Sequence, residues 1–153
     1  IISMKVFKID IENTVMIEKI LEIHDKMPIA WDPKHVINPD RRIERILDDP
    51  NPQGLWVICD SEKCTPENTV GMIWAFVYTK STSKVCNINS LWIAPDLRKS
   101  GITKLLTEPC IEWAKKNGAD SLECSTHVSN ARMREILRTL NFKEEMMTYL
   151  CKL

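Results

Sequence analysis

Four glycines in 153 residues are too few for a flexible linker or a low-complexity tract, and eight scattered prolines make no polyproline run. Neither a G-x-x-x-x-G-K-[ST] loop nor a G-x-G-x-x-G fingerprint is present, which excludes the two commonest glycine-rich nucleotide cradles. Charge of one sign is missing too. Lys+Arg and Asp+Glu number 21 each, so the net charge is zero and no broad field favours nucleic acid or an anionic membrane surface. No apolar run approaches the roughly 18 residues of a membrane-spanning helix. The six cysteines show no C-x-x-C pair and no paired histidine, so a metal site is not expected. Several lie in apolar stretches and are expected as reduced, buried thiols in a reducing compartment, here the cytoplasm. The opening IISMKVFKID lacks signal-peptide features, so no secretion leader is expected and Met4 is a candidate natural start. What is present, 44% hydrophobic and 27% charged residues, fits one globular domain over 1–153.

The pattern alternates strands and helices. Residues 2–9 read as a strand, and Asp10 or Asn13 then caps a helix whose apolar positions Met16, Ile20, Ile23 and Met27 step by 4, 3 and 4. Pro28, Pro33 and Pro39 break the next stretch into a loop, after which Ile43, Ile46 and Leu47 mark a short helix. Strands are expected at 55–59, 70–78, 85–94 and 121–126, with one or two closing strands in 142–153. Between them, a helix from near Ile102 ends at Asn117-Gly118, and Ser129 or Asn130 caps another carrying Met133, Ile136, Leu137 and Leu140. Pro109, inside the first of these, is expected to kink it. The result is an α/β fold on a mixed central sheet flanked by about four helices.

The most informative stretch is LWIAPDLRKSGITKLL, 91–106. A strand ends, the chain turns, and Arg98-Lys99-Ser100-Gly101-Ile102-Thr103 runs into a helix. A helix start exposes unpaired N–H groups at the positive end of its dipole, and Gly101 permits a turn or close approach that a side chain hinders. With Arg98 and Lys99 beside it, this is either a phosphate cradle or an ordinary strand-to-helix turn with solvated basic residues.

These residues resemble the acyl-CoA-dependent N-acetyltransferases of the GNAT superfamily. Their loop pattern is [R/Q]-x-x-G-x-[G/A]; Arg98 and Gly101 match it, while Thr103 stands where a small residue is usual. Leu91-Trp92-Ile93-Ala94-Pro95 is similar to the end of that family's fourth strand, and Asn130-Ala131 through Asn141-Phe142 has the framing of its N-A-x-x-x-x-x-Y-x-x-x-G-F segment. The resemblance implies a sheet splayed open to hold acyl-CoA. It also implies that Leu91, Trp92, Ile93, Arg98, Lys99, Ser100, Gly101, Ile102, Thr103, Asn130 and Met133 contact the coenzyme.

The departures bear on catalysis. Leu137 occupies the place of a tyrosine that protonates the leaving thiolate in many members, and Asn141 replaces a glycine. Strand four offers Asn87, Asn89 and Ser90 where some members carry a base. His127 and Tyr149 are therefore weak catalytic candidates, against an exposed loop histidine and a sheet-packing tyrosine. Cys124 reads as a structural thiol rather than a nucleophile. Trp31 and His35, near Asp32 in the proline-rich loop, are acceptor-site candidates, though Trp31 also suits a packing anchor. The expected activity is transfer of an acetyl group from acetyl-CoA to an amine by direct attack in a ternary complex. The expected partners are those two molecules alone, with no nucleic acid, membrane or metal, in a monomer or homodimer. The rival reading is a GNAT-fold protein that binds CoA without turnover.

Overall fold

A five-stranded mixed sheet in the order β1-β2-β3-β4-β5 organises the α/β fold. The strands are β1 (Lys5–Lys8), β2 (Gln53–Cys59), β3 (Thr69–Lys80), β4 (Ser83–Ile93) and β5 (Ser121–Glu123). Helices α1 (Thr14–Lys26) and α2 (Glu44–Leu47) precede β2, α3 (Thr103–Lys116) joins β4 to β5, and α4 (Ala131–Thr139) follows. The computed structural model describes residues 4–27, 43–98, 101–126, 128–149 and 151–153. The described residues up to 125 form one compact unit and those from 126 onward a second.

In the first unit, β1 to β4 pair antiparallel and β5 joins β4 in parallel. Asn13 caps α1 by accepting from the Met16 N–H at 3.2 Å, which satisfies one orphan donor of the first turn. The 4-3-4 apolar spacing then delivers Met16, Ile17, Ile20, Leu21 and Ile23 to one face, where they bury against Leu55, Val57, Cys59, Met72 and Trp74. Side chains alternate along a strand, so Trp56 points to the other face and meets Trp113 of α3 edge-on at 5.6 Å. Gly54 makes that approach possible, because a Cβ there would lie 2.7 Å from the Trp56 ring and 2.9 Å from Trp113. Two helices thus cover opposite faces of one sheet.

Asp25 on α1 is buried, and Arg45 of α2 clasps it through Nη1 at 3.0 and 3.2 Å from the two carboxylate oxygens. A buried carboxylate needs such a partner, and the pair ties α2 to α1.

Three expectations need correction. Residues 143–149 form no helix or strand, although 142–153 alternates as a closing strand should. Met146, Met147 and Tyr149 are 80, 76 and 86% exposed, and a strand exists only where a neighbour takes up its N–H and C=O groups. Cys151 is exposed rather than buried, for the same reason; Cys59, Cys86 and Cys110 are buried, and all six thiols are free. The expected fifth strand also stops early, at Glu123 instead of residue 126. α3 runs without interruption through Pro109, whose missing N–H leaves the Leu105 carbonyl without its usual helical donor.

Candidate functional site

The site begins where β4 outruns its neighbour. β4 and β5 pair at Val85↔Ser121, Cys86↔Leu122 and Asn87↔Glu123, after which β5 ends and β4 continues to Ile93. On its other side, the register slips between Trp74↔Ser90 and Ala75↔Ile88, leaving Asn89 without a counterpart on β3. Such a bulge redirects backbone groups and bends the strand. Leu91, Trp92 and Ile93 follow, paired to Ile73, Met72 and Gly71. Leu91 and Ile93 are buried and Trp92 is half-buried against the α1 core. From residue 88 onward this edge of β4 has no strand partner among the described residues.

Pro95–Leu97 then forms a 3-10 turn, and Arg98 folds back so that its Nε donates to the Ile93 carbonyl at 2.9 Å. The sequence marks Arg98 as a source of charge; the structure adds that it pins the loop to the end of β4. Gly101 has φ +77°, a left-handed conformation that favours glycine, and among the described residues, its chain neighbours aside, no heavy atom lies within 4 Å of where its Cβ would be. Ile102 then starts α3 with no side-chain cap. Leu105 N–H already donates to the Ile102 carbonyl at 2.9 Å, so in the first turn of this 14-residue helix it is the Thr103 and Lys104 N–H groups that lack intrahelical acceptors, at the positive end of its dipole. An open space, an uncapped helix start and a cationic arginine fit a phosphate group. Lys99 and Ser100 lie outside the described residues, as do His127, Trp31 and His35.

In the second unit, the Asn130 side chain caps α4 by accepting from the Met133 N–H at 3.1 Å. Both residues expected at the coenzyme are thereby joined in one local motif, with Asn130 exposed and Met133 half-buried. Leu137 is buried, and its carbonyl accepts from the Phe142 N–H. Asn141, in place of the family's glycine, adopts φ +67°, so the left-handed turn survives the replacement. Tyr149 is 86% exposed and in no strand.

Several polar residues escape the motifs. On the α1 face of the sheet, Glu123 Oε1 accepts from Tyr78 Oη at 2.7 Å and Asn87 Nδ2 at 2.9 Å, and Oε2 accepts from Lys80 Nζ at 3.0 Å. The Tyr78 hydroxyl above all, with Asn87 and Lys80, holds the carboxyl below its ordinary range and keeps it ionised. The available signal was Glu123 as the lone acid of its strand, with Tyr78 and Lys80 two apart on another. His24, near the end of α1, meets the Trp74 ring edge-on at 5.1 Å, and its Nδ1 is buried without a hydrogen-bond partner among the described residues. Burial, reinforced by Arg45, lowers its pKa and keeps the imidazole neutral. Cys124 is pushed up to about 11, chiefly by burial and then by Glu123, so it is a thiol at neutral pH and no nucleophile. No group of three or more metal-ligating side chains occurs among the described residues.

The acetyltransferase (GNAT) family profile matches residues 17–142, spanning both helical motifs and the strands between them. The chain belongs to the GNAT acetyltransferase family. Solved structures share its fold at low identity. An aminoglycoside acetyltransferase from an uncultured soil metagenomic sample, in complex with trehalose, aligns at TM-score 0.73 and 13% identity, covering 98% of this chain and 96% of its own. AAC(6')-Iy, in complex with the bisubstrate analogue CoA-S-monomethyl-acetylneamine, aligns at 0.69 and 16%, covering 99% of each chain. A transcriptional regulator from Bacillus halodurans C-125 aligns at 0.70 and 18%, covering 99% and 100%. Comparison with curated protein sequences gives no match.

Proposed function

We propose that this GNAT protein moves an acetyl group from acetyl-CoA to an amine by direct attack in a ternary complex. The observation that carries the reading is the left-handed turn at Gly101 leading into the uncapped start of α3, directly after a strand that has outrun its partner. In this reading the N–H groups near Gly101 and Ile102 receive the pyrophosphate, with Arg98, Lys99, Ser100 and Thr103 around it. The free edge of β4 from Leu91 to Ile93 receives the pantetheine arm, and Asn130 and Met133 contact the coenzyme from α4. No metal is required, the whole chain acts as one domain, and its place is the cytoplasm as a monomer or homodimer.

The amine must shed a proton to attack. With a pKa of about 10.4, roughly 4 amines in 10,000 are neutral at pH 7, so a base or a desolvating pocket has to raise that share. In this reading, backbone donors on β4 stabilise the tetrahedral oxyanion. Holding amine and thioester together supplies much of the remaining rate. His127 and Tyr149 are the residues to test for proton transfer, and Trp31 and His35 for acceptor binding.

A second reading, a CoA-binding protein without turnover, draws on the buried Leu137 and on a fourth strand with Asn87, Asn89 and Ser90 and no Asp, Glu or His. Thiol release from acetyl-CoA over a panel of amines decides between them. Aminoglycosides belong in that panel because one of the structural neighbours is named an aminoglycoside acetyltransferase.

A further inference from the structure

Glu123 occupies a singular position. It is the last residue of β5, on the last rung it shares with β4, so it stands at the floor of the opening between the two strands. Its side chain lies on the face that α1 covers further along the sheet, because Trp74, Phe76, Tyr78 and Lys80 alternate to that face of β3. There the helix no longer buries the surface: Phe76, Tyr78, Asn87 and Glu123 are half-buried and Lys80 is exposed.

We propose that Glu123 anchors a protonated amino group of the acceptor, so that the substrate is a di- or polyamine with one amine held charged while another attacks. The proposal rests on the reading that acetyl-CoA enters between β4 and β5. Three features support it. The carboxylate is fixed in place by Tyr78 and Asn87, which occupy Oε1 and leave Oε2 facing an ammonium. That ammonium is Lys80 Nζ, 3.0 Å away on a side chain 49% exposed. The Glu123 side chain is 29% exposed, so the pair is only partly desolvated and its ammonium can be exchanged for another cation; Lys80 marks the seat of the substrate's ammonium. Finally, a carboxylate kept ionised by two donors is a poor base. It holds a bound amine in its charged, unreactive form, so the group it binds is not the nucleophile.

The chemistry balances without Glu123 changing state. The neutral amine nitrogen attacks the thioester carbon, the C–S bond breaks, and the proton lost by nitrogen ends on the CoA thiolate through solvent or a side chain. The second ammonium remains on Glu123 throughout. Lys80 on the hairpin retreats when the acceptor arrives.

Cadaverine and pentylamine, equal in length and differing by one ammonium, test this by calorimetric titration into protein saturated with CoA. Wild type should bind cadaverine at least about tenfold more tightly than pentylamine, the scale of one charge-assisted hydrogen bond. Glu123→Gln should erase that preference while leaving the CoA-induced melting shift intact, and Lys80→Met should tighten cadaverine several-fold. Should Glu123→Gln fail to fold, Glu123→Asp withdraws the charge by one methylene and should shrink the preference. A preference absent from wild type, or retained in either Glu123 variant, overturns the proposal while a normal CoA shift leaves the acyltransferase reading standing. Absence of any CoA shift in wild type overturns both.

Discussion

Asn87 and Glu123 face each other across the last rung of the parallel β4–β5 pair, and Asn87 Nδ2 donates to Glu123 Oε1 at 2.9 Å. That bond closes the sheet where β4 goes on alone. Everything assigned to the coenzyme in the first unit lies beyond it on β4 or in the loop that follows. A parallel pair that ends abruptly exposes backbone donors and acceptors that a ligand can take up, as an added strand would.

The first prediction concerns Gly101. Acetyl-CoA at about 100 times its Kd should stabilise the folded chain by roughly 2.7 kcal/mol, or about 5–10 °C in melting temperature for this size. Gly101→Val forces a β-branched residue into a left-handed conformation, costing about 1–2 kcal/mol of its own. The shift with acetyl-CoA should nearly vanish in the variant. An undiminished shift, read by differential scanning fluorimetry, contradicts the phosphate assignment.

The second concerns pH. His24 is held neutral in the fold, so its folded pKa lies below the unfolded 6.5. The unfolded chain then binds more protons in the interval between those values, and stability rises with pH there. The stability associated with this group is complete above pH 6.5 and is lost as pH falls through the folded pKa. Glu123 acts in the same sense at lower pH, its stabilisation being lost below its ordinary 4.5. Urea melts across pH 5–8 should show the first slope in wild type and not in His24→Phe. Identical slopes in the two proteins would contradict it.

The third concerns Arg45. Removing it strands the buried Asp25 carboxylate, so Arg45→Met should destabilise by roughly 3 kcal/mol, the low end for such a pair because Arg45 is partly exposed. The double variant Arg45→Met/Asp25→Leu should recover much of that loss. A loss under about 1 kcal/mol in the single variant would mean that the ion pair is expendable.

The fourth concerns Leu137. The side chain is buried, so a tyrosine there must displace neighbours and find a partner for its hydroxyl. Leu137→Tyr should cost about 1–3 kcal/mol in urea unfolding and leave the acetyl-CoA shift in place. Tyr149→Phe, at a fully accessible residue, should change rate by well below tenfold, whereas a loss of about a hundredfold would name it the acid.

The elements with strong local signals were legible in the sequence. α1 follows from the step of Met16, Ile20 and Ile23 with Asn13 before it, and Asn130 caps α4 as its position announces. The Arg98 to Thr103 loop was readable because a turn, a glycine and a helix start are consecutive. What escaped depends on partners distant in sequence. The alternation in 142–153 resembles that of a strand, yet pattern alone cannot supply the neighbour a strand needs. The Glu123 cluster joins three strands, and its bonds link residues 36 to 45 apart. Nothing local in the sequence marks His24 as buried; only the fold shows its Nδ1 sealed beside Trp74.

Acetyl-CoA-dependent thiol release, followed with Ellman's reagent over diamines, spermidine and aminoglycosides, tests the central claim most directly. The account predicts release that requires both acetyl-CoA and an amine, with an N-acetylated product one acetyl group heavier by mass spectrometry. Stabilisation by acetyl-CoA with no amine acetylated would contradict it and identify a protein that binds the coenzyme without turning it over.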